Sequence, residues 1–248
     1  MSGTSSDARV LGFSEALAVL LRHTAVVVLP ETENVVVLAS AGRVLAENVM
    51  ADRDQPPFDR STRDGFAVQA AEWSDGQRLR VVGQVRAGEV WALGAVEAGC
   101  AVEIMTGAAV PQGADAVAMI EHVEQGGSEV WAKVGRSLRA GENVVPGGSE
   151  AHRGETLLTV GTTIGAAEVA VAAACGRADL AVYRRPLGAI LATGDELVEL
   201  DQTPEVHQIR NSNSYALAAM VEAAGGQAAR LAIARDTLTD LREARGPA

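Results

Sequence analysis

The sequence predicts an α/β multi-domain protein, with a discontinuous α+β first domain, a β-rich domain inserted into it, and an incomplete doubly wound parallel α/β domain at the end. Three observations carry that prediction. From residue 68 to about 135, short Val-rich pieces alternate with Gly and Pro turns, the pattern of a small all-β barrel or sandwich. The segments before and after it share one style of loop, strand and short helix, so the β-rich stretch interrupts a single domain. From Arg184 onward the order becomes strand, helix, strand, helix, the opening of a doubly wound sheet. The boundaries drawn are 10–55 plus 138–182, 56–137, and 183–248.

Taken in order, "FSEALAVLLRHTAVVVLP" places apolar residues at helical spacing behind Ser14 as N-cap. "ENVVVLASAGRVLAENVMADRD" reads as a strand, a short helical turn and a second strand, split at Gly42. Inside the insert, "LRVVGQVRAG", "GCAVEIMTGA", "ADAVAMIEHVE" and "EVWAKVG" read as strands. "GETLLTVGTTIGAAEVAVAAACG" returns to strand and short helix. In the last segment "RRPLGAILATGDELV" is an apolar strand running into a loop, and "NSNSYALAAMVEAAGG" is a helix capped by Asn or Ser and ended by Gly. "QAARLAIA" reads as a buried-type strand and "DTLTDLREAR" as the start of another helix. Two strands and two helices cannot cover both faces of a parallel sheet, so a second chain completes this domain or the chain is C-terminally truncated.

Composition narrows the functional classes. A net charge of −11 with pI near 4.9 opposes a broad nucleic-acid surface, which needs clustered Lys and Arg. Aromatic residues make up 3% of the chain and Ala, Val and Gly fill in, so the core must be built from many small side chains rather than a few large ones. The only cysteines, Cys100 and Cys175, belong to no metal-ligand array and read as small buried apolar groups in a reducing cytoplasm. The N-terminus lacks a signal-peptide profile and no apolar run is long enough to span a bilayer, so the expected location is cytoplasmic, without a membrane partner.

Three stretches hold candidate site residues. In "PPFDRSTRDGFAV", 56–68, two prolines stiffen the approach to an Asp64-Gly65 turn. Either Asp64 caps local backbone amides, or Asp64 and Ser61 face a cleft. In "IMTGAAVPQGADAV", the Thr106 hydroxyl and neighbouring amides suit an oxyanion, although a plain β-turn in which Asp115 bonds its own backbone reads as well. In "ATGDELVE", Asp195 and Glu196 follow a parallel strand at the end where open α/β sheets bind ligands. Paired carboxylates there suit Mg²⁺, and helix capping is the competing role. The four histidines are scattered without ligand spacing.

In their order and spacing, "PPFDRSTRDGFAV", "IMTGAAVPQGADAVAMIE", "RAGENV", "RRPLGAILATGDELVE" and "IRNSNSYALAAMVEAAGG" closely resemble the molybdopterin molybdenumtransferase (MoeA) family, which includes the gephyrin E domain. The resemblance runs from Phe13 to about Asp236. It implies an elongated homodimer with a discontinuous first domain, an inserted β-rich second, a third domain like the molybdopterin adenylyltransferases (MogA-like), and a fourth β-barrel. It also implies a reaction, insertion of molybdenum from molybdate into adenylylated molybdopterin with Mg²⁺ and release of AMP, and an adenylyltransferase as partner.

Carried over by position, Asp64 matches the aspartate of S-x-x-D-G-Y, Thr106 the threonine of M-T-G, and Glu196 the glutamate of T-G-D-E, which implies catalytic roles for all three. Ser61, Asn211 and Asn213 fall in matching segments as substrate-binding residues, and Glu196 with Asp195 as Mg²⁺ ligands. The sequence departs from the family at Arg60, Arg63 and Phe66, at Val145 and Glu150 in place of Arg and Asp, and at Asn211, where many relatives carry Asp. The family's Gly-Gly-Val-Ser phosphate loop and fourth domain lie beyond its last residue. The resemblance therefore implies a truncated chain that does not complete molybdenum insertion alone, with a non-catalytic dimerising or binding remnant as the alternative.

Overall fold

The computed structural model describes residues 10–24 and 30–245. In chain order its elements are α1 Phe13–Thr24, β1 Thr32–Val36, β2 Val49–Met50, β3 Arg60–Ser61, β4 Gly65–Val68, β5 Arg78–Val85, β6 Cys100–Ile104 and β7 Ala116–Met119. There follow β8 Val123–Gly126, β9 Glu129–Ala132, β10 Val144–Val145, β11 Thr156–Leu158, α2 Ala166–Ala174 and β12 Asp179–Tyr183. The last are β13 Leu187–Ile190, β14 Leu197–Val198, β15 Ile209–Arg210, α3 Ser212–Ala223, β16 Gln227–Arg230 and α4 Leu238–Arg245. They form an α/β multi-domain protein of two compact units, one of residues 47–162 and 166–178, the other of the described residues up to Ala46, 163–165 and 179 onward.

The unit of residues 47–162 is organised by a six-stranded mixed sheet of order β7-β4-β6-β5-β9-β8, in which only the β5–β6 pair is parallel. β4 runs between β6 and β7, and all four of its residues, Gly65 to Val68, are buried. Successive side chains of a strand point to opposite faces. Phe66 and Val68 accordingly join Trp73, Leu79 and Val130 on one side, while Ala67 joins Val85, Val102, Ile104 and Val117 on the other. Phe66 is the largest fully buried side chain, and burial of such a residue stabilises by about 1.5–3 kcal/mol. Most of the remaining core residues are Ala and Val, with some Leu and Ile, the two cysteines and Trp73. Two antiparallel pairs, β10–β3 and β11–β2, complete this unit's strands, and α2 packs against β11.

In the other unit, β1 pairs antiparallel with β12, Val35 opposite Leu180. The Gly42 break is real: its φ is +77°, a turn conformation that side chains avoid. β13, α3 and β16 form a strand-helix-strand unit with β13 and β16 paired in parallel, Leu187 beside Gln227. A second parallel pair, β14–β15, lies in the segment read only as a loop.

Two local expectations are corrected, and part of a third falls outside the described residues. Ser14 lies inside α1, which begins at Phe13, because the Glu15 carboxylate reaches back to the Gly12 amide and organises the first turn one residue earlier. The strand in "QAARLAIA" stops at Arg230, and its four residues are half-buried or exposed rather than core, since among the described residues β13 is its only partner. The stretch 25–29 at the end of the first helical reading lies outside the described residues.

Cys100 and Cys175 are free and buried. Burial raises the Cys175 thiol above its ordinary value, and the Asp52 carboxylate adds to the effect. A thiol held protonated is a poor nucleophile. Native protein at pH 8 should therefore leave Cys175 unmodified by iodoacetamide over a time in which urea-unfolded protein is fully alkylated. Equal rates by mass spectrometry would contradict the buried environment.

Candidate functional site

The loop from Arg60 to Asp64 is pinned at nearly every backbone position. Ser61 donates its amide to the Ala108 carbonyl and accepts from the Gly107 amide (3.0 and 2.8 Å). Thr62 donates to the carbonyl of Asn143, a residue with φ +60° whose side chain is tied in turn to the Val117 carbonyl. The Ser61 hydroxyl donates to the Arg63 carbonyl at 2.6 Å, and the Asp64 carbonyl accepts from the Ile120 amide at 3.0 Å. Gly65 follows because β4 and β7 approach too closely there for any side chain: a Cβ would overlap the Ala118 carbonyl oxygen.

On this platform the exposed Asp64 carboxylate accepts two hydrogen bonds at one oxygen, from the Thr106 amide (2.6 Å) and the Thr106 hydroxyl (2.7 Å). These bonds favour the charged form, the amide bond most, and hold the carboxyl below its ordinary value. Asp64 thus caps a backbone amide, but one 42 residues away in sequence rather than a local one. The same bonds occupy the Thr106 amide and hydroxyl proton, the groups that suited an oxyanion; Asp64 Oδ2 and the Thr106 hydroxyl lone pairs remain as acceptors. Ser61 is buried and its hydroxyl serves the loop. Asp115 does not bond its own turn; it accepts from the Ala70 amide at 2.6 Å. Arg60 pairs with Glu150 at 3.3 Å, whereas Arg63 is exposed.

The second group of candidates lies in the other unit. A cavity of about 360 Å³ opens where β13 ends and α3 begins, lined by Thr193, Arg210, Asn211, Ser212, Asn213 and Ser214 among others. Asn211 is the N-cap of α3: its Oδ1 accepts from the Ser214 amide at 3.3 Å. Asn211 is 2% exposed and its Nδ2 has no hydrogen-bond partner. Arg230 donates to the Ser214 hydroxyl, stacks over the Tyr215 ring at 3.6 Å and faces Glu199, so its charge is already matched. Asp195 and Glu196 are exposed in the turn after β13 and do not line this cavity. The Glu196 carboxylate folds back over Gly194, where a Cβ would sit 2.6 Å from Oε2.

The structure therefore brings Asp64, Thr106 and Ser61 together in one unit and Asn211 with Asn213 in the other, beside the segment holding Asp195 and Glu196. Sequence reasoning passed over Arg210 and Thr193, which carry no motif and are marked only by their nearness to the α3 cap and the end of β13. Among the described residues no cluster of three or more His, Cys, Asp or Glu could hold a metal ion. An Mg²⁺ ion that keeps its waters and shares a phosphate needs only one or two carboxylates, so Asp195 and Glu196 fit it as a donor set.

Residues 189–245 match the family described as the probable molybdopterin binding domain, and residues 11–176 match the MoeA N-terminal region (domain I and II). A molybdopterin molybdenumtransferase of Bacillus subtilis is 38% identical over 204 residues, 79% of this chain and 47% of the relative. Molybdopterin molybdenumtransferase 1 of Mycobacterium tuberculosis is 33% identical over 242 residues, 90% of this chain and 56% of the relative. The chain thus spans about half the length of these curated relatives. Among solved structures, the molybdopterin biosynthesis MoeA protein of Pyrococcus horikoshii superposes with a TM-score of 0.77 at 32% identity, covering 94% of this chain and 59% of that one. Matched to the N-terminal region model over more than half its residues, the chain belongs to the MoeA family.

Proposed function

We propose that this chain acts in molybdenum cofactor biosynthesis, in the transfer of molybdenum from molybdate to adenylylated molybdopterin with release of AMP. The observation that carries the reading is the Asp64–Thr106 node, two candidate residues far apart in sequence joined by two short bonds on a rigid, exposed loop. Asp64 holds Thr106 in one rotamer, and together they position the substrate, which lowers the entropic part of the barrier. Asn211 and Asn213 take part in binding the pterin ligand at the α3 cavity. Glu196 and Asp195 hold Mg²⁺, which when bound neutralises charge on the adenylyl phosphate.

The same proposal includes the three-domain division 10–55 plus 138–182, 56–137 and 183–248, a cytoplasmic location, a homodimer, and a molybdopterin adenylyltransferase as partner. None of α1's residues is buried, and Phe13, Leu17, Leu20 and Leu21 are all exposed, an apolar face that supports the dimer. Among the described residues no helix is long and apolar enough to cross a membrane. A second reading, a non-catalytic dimerising or binding remnant, is favoured by the β13–β16 sheet, which has two strands among the described residues.

The test is to mix the chain with adenylylated molybdopterin, Mg²⁺ and molybdate and to follow AMP release and cofactor formation. Turnover that disappears in Asp64→Ala and Glu196→Ala supports the transferase. Ligand binding without turnover supports the remnant, and neither binding nor turnover removes the transferase reading for this chain.

A further inference from the structure

We propose that Asn143 is a positioning residue, whose side-chain amide clamps the Asp64 loop to the edge of the β-rich sheet and so holds the Asp64–Thr106 node in register. The inference rests on the proposed function for what the node does; that Asn143 holds the node stands on the geometry alone.

The first observation is the backbone. Among the described residues Asn143 is the only one other than glycine with a left-handed conformation, at φ +60°. Asparagine tolerates that region better than most residues, and glycine tolerates it best. Glycine would make the same turn but would lack the side-chain amide. Here that amide is used: Nδ2 donates to the Val117 carbonyl at 2.8 Å. Its orientation is set by the partner, since turning it over would put Oδ1 against another acceptor. Asn143 lies in "RAGENV", a stretch that carries neither side chain of the node.

The second observation is what Asn143 connects. β7 is an edge strand of the six-stranded sheet, and inside the sheet its Val117 stands opposite Ala67 of β4. Outside the sheet the Val117 amide donates to the Glu142 carbonyl at 3.0 Å, and its carbonyl accepts from Asn143. The Asn143 carbonyl in turn accepts from the Thr62 amide at 3.0 Å, two residues before Asp64. The Asp64 carbonyl accepts from Ile120, the first residue past β7. The end of the sheet therefore holds the loop at two points, directly at Asp64 and through Asn143 at Thr62.

The third is how much the node depends on that hold. Both of its bonds end on one oxygen, Asp64 Oδ1, and come from one residue, at 2.6 and 2.7 Å. Hydrogen bonds weaken steeply when tilted or stretched, so the carboxylate meets both donors only while the loop backbone stays in place. Thr106 is placed from its own side, where the Met105 amide donates to the Val85 carbonyl of β5 and the Gly107 amide to the Ser61 carbonyl. Loss of the Asn143 amide frees the carbonyl that holds Thr62, and the displacement passes to the carboxylate two residues on. The effect of Asn143 thus runs through Asp64. A residue that only stiffened the edge of β7 would add stability and leave the node unaltered when removed.

The test uses the full chain and two variants. Asn143→Gly keeps the turn and removes the amide. Asn143→Asp keeps the shape and sets a carboxylate against the Val117 carbonyl at neutral pH. In Asn143→Gly the acid transition of the Thr106 amide resonance should rise toward the ordinary carboxylate value of 3.8, because the bonds that lower it are lost. In Asn143→Asp the Thr106 amide should exchange at least about tenfold faster at neutral pH, with exchange in β4 and β6 unchanged. With adenylylated molybdopterin, Mg²⁺ and molybdate, kcat should fall at least about tenfold in both variants, and KM should change less than about twofold. A lowered unfolding midpoint with the Thr106 transition and exchange as in the parent would overturn the positioning role, and so would two variants that do not fold. A disturbed Thr106 in a chain whose parent releases no AMP retains the clamp and removes the transferase. Turnover in the parent with kcat unchanged in the variants retains the transferase and overturns the role of Asn143.

Discussion

Replacing Gly65 by alanine should destabilise the β-rich unit by more than about 4 kcal/mol, at the extreme of what single substitutions do. A Cβ at this position would overlap the carbonyl oxygen of Ala118 and lie 2.9 Å from its carbon, with the Ile120 amide 3.1 Å away. All three are backbone atoms, and they belong to β7 and the residue after it, so no side-chain rotation relieves the overlap. The strands would have to part, and β4 is the strand whose two faces feed both hydrophobic clusters. Gly12, with nothing within 4 Å of its Cβ position, is the contrast: Gly12→Ala should change stability by only about 0.5 kcal/mol. Urea unfolding of the two variants measures the difference, and equal midpoints would mean that β4 and β7 do not approach as described.

Removal of the Asp64 carboxylate should free Thr106 without unfolding the sheet. In Asp64→Ala both bonds to Thr106 are lost, its amide exchanges as an open loop does, and its side chain samples several rotamers. The pH dependence follows from the direction of the shift. Asp64 titrates lower in the folded protein than its ordinary 3.8, so its contribution is fully present above that value and is lost as pH falls through the depressed folded one. The Thr106 amide resonance should therefore stay constant from neutral pH to about 4 and move only in stronger acid. Asp64→Asn should abolish that movement. A Thr106 transition at or above the ordinary carboxylate range would show that the two bonds are absent in solution.

Much of the fold was legible because its signals are local. Val-rich runs between Gly turns marked the strands of the insert, and the Asn-Ser start with Gly end of α3 marked that helix to within a residue. What escaped the sequence is long-range. The partners of Asp64 and Asp115 are amides 42 and 45 residues away, and nothing in a turn sequence announces a distant donor. β14 and β15 are two residues each, too short to show a period. "QAARLAIA" misled because small apolar residues look the same at a sheet edge as in a core. At the candidate site the motifs located Asp64, Thr106 and Asn211, but that Asn211 keeps an unmatched donor beside Arg210 depends on the cap geometry, which only the folded helix supplies.

The pairing of β1 with β12 has a consequence for how the chain emerges during translation. Val35 faces Leu180, so the first strand is made about 145 residues before its partner exists. At roughly 5–20 residues per second, β1 waits on the order of 7–29 s on the ribosome. In that interval the whole intervening β-rich unit is synthesised and free to fold. Ribosome-bound chains halted near residue 200, with residues 47–162 outside the exit tunnel and β12 still within it, should accordingly show a protease-resistant insert while the segment around Thr32–Val36 is still cleaved.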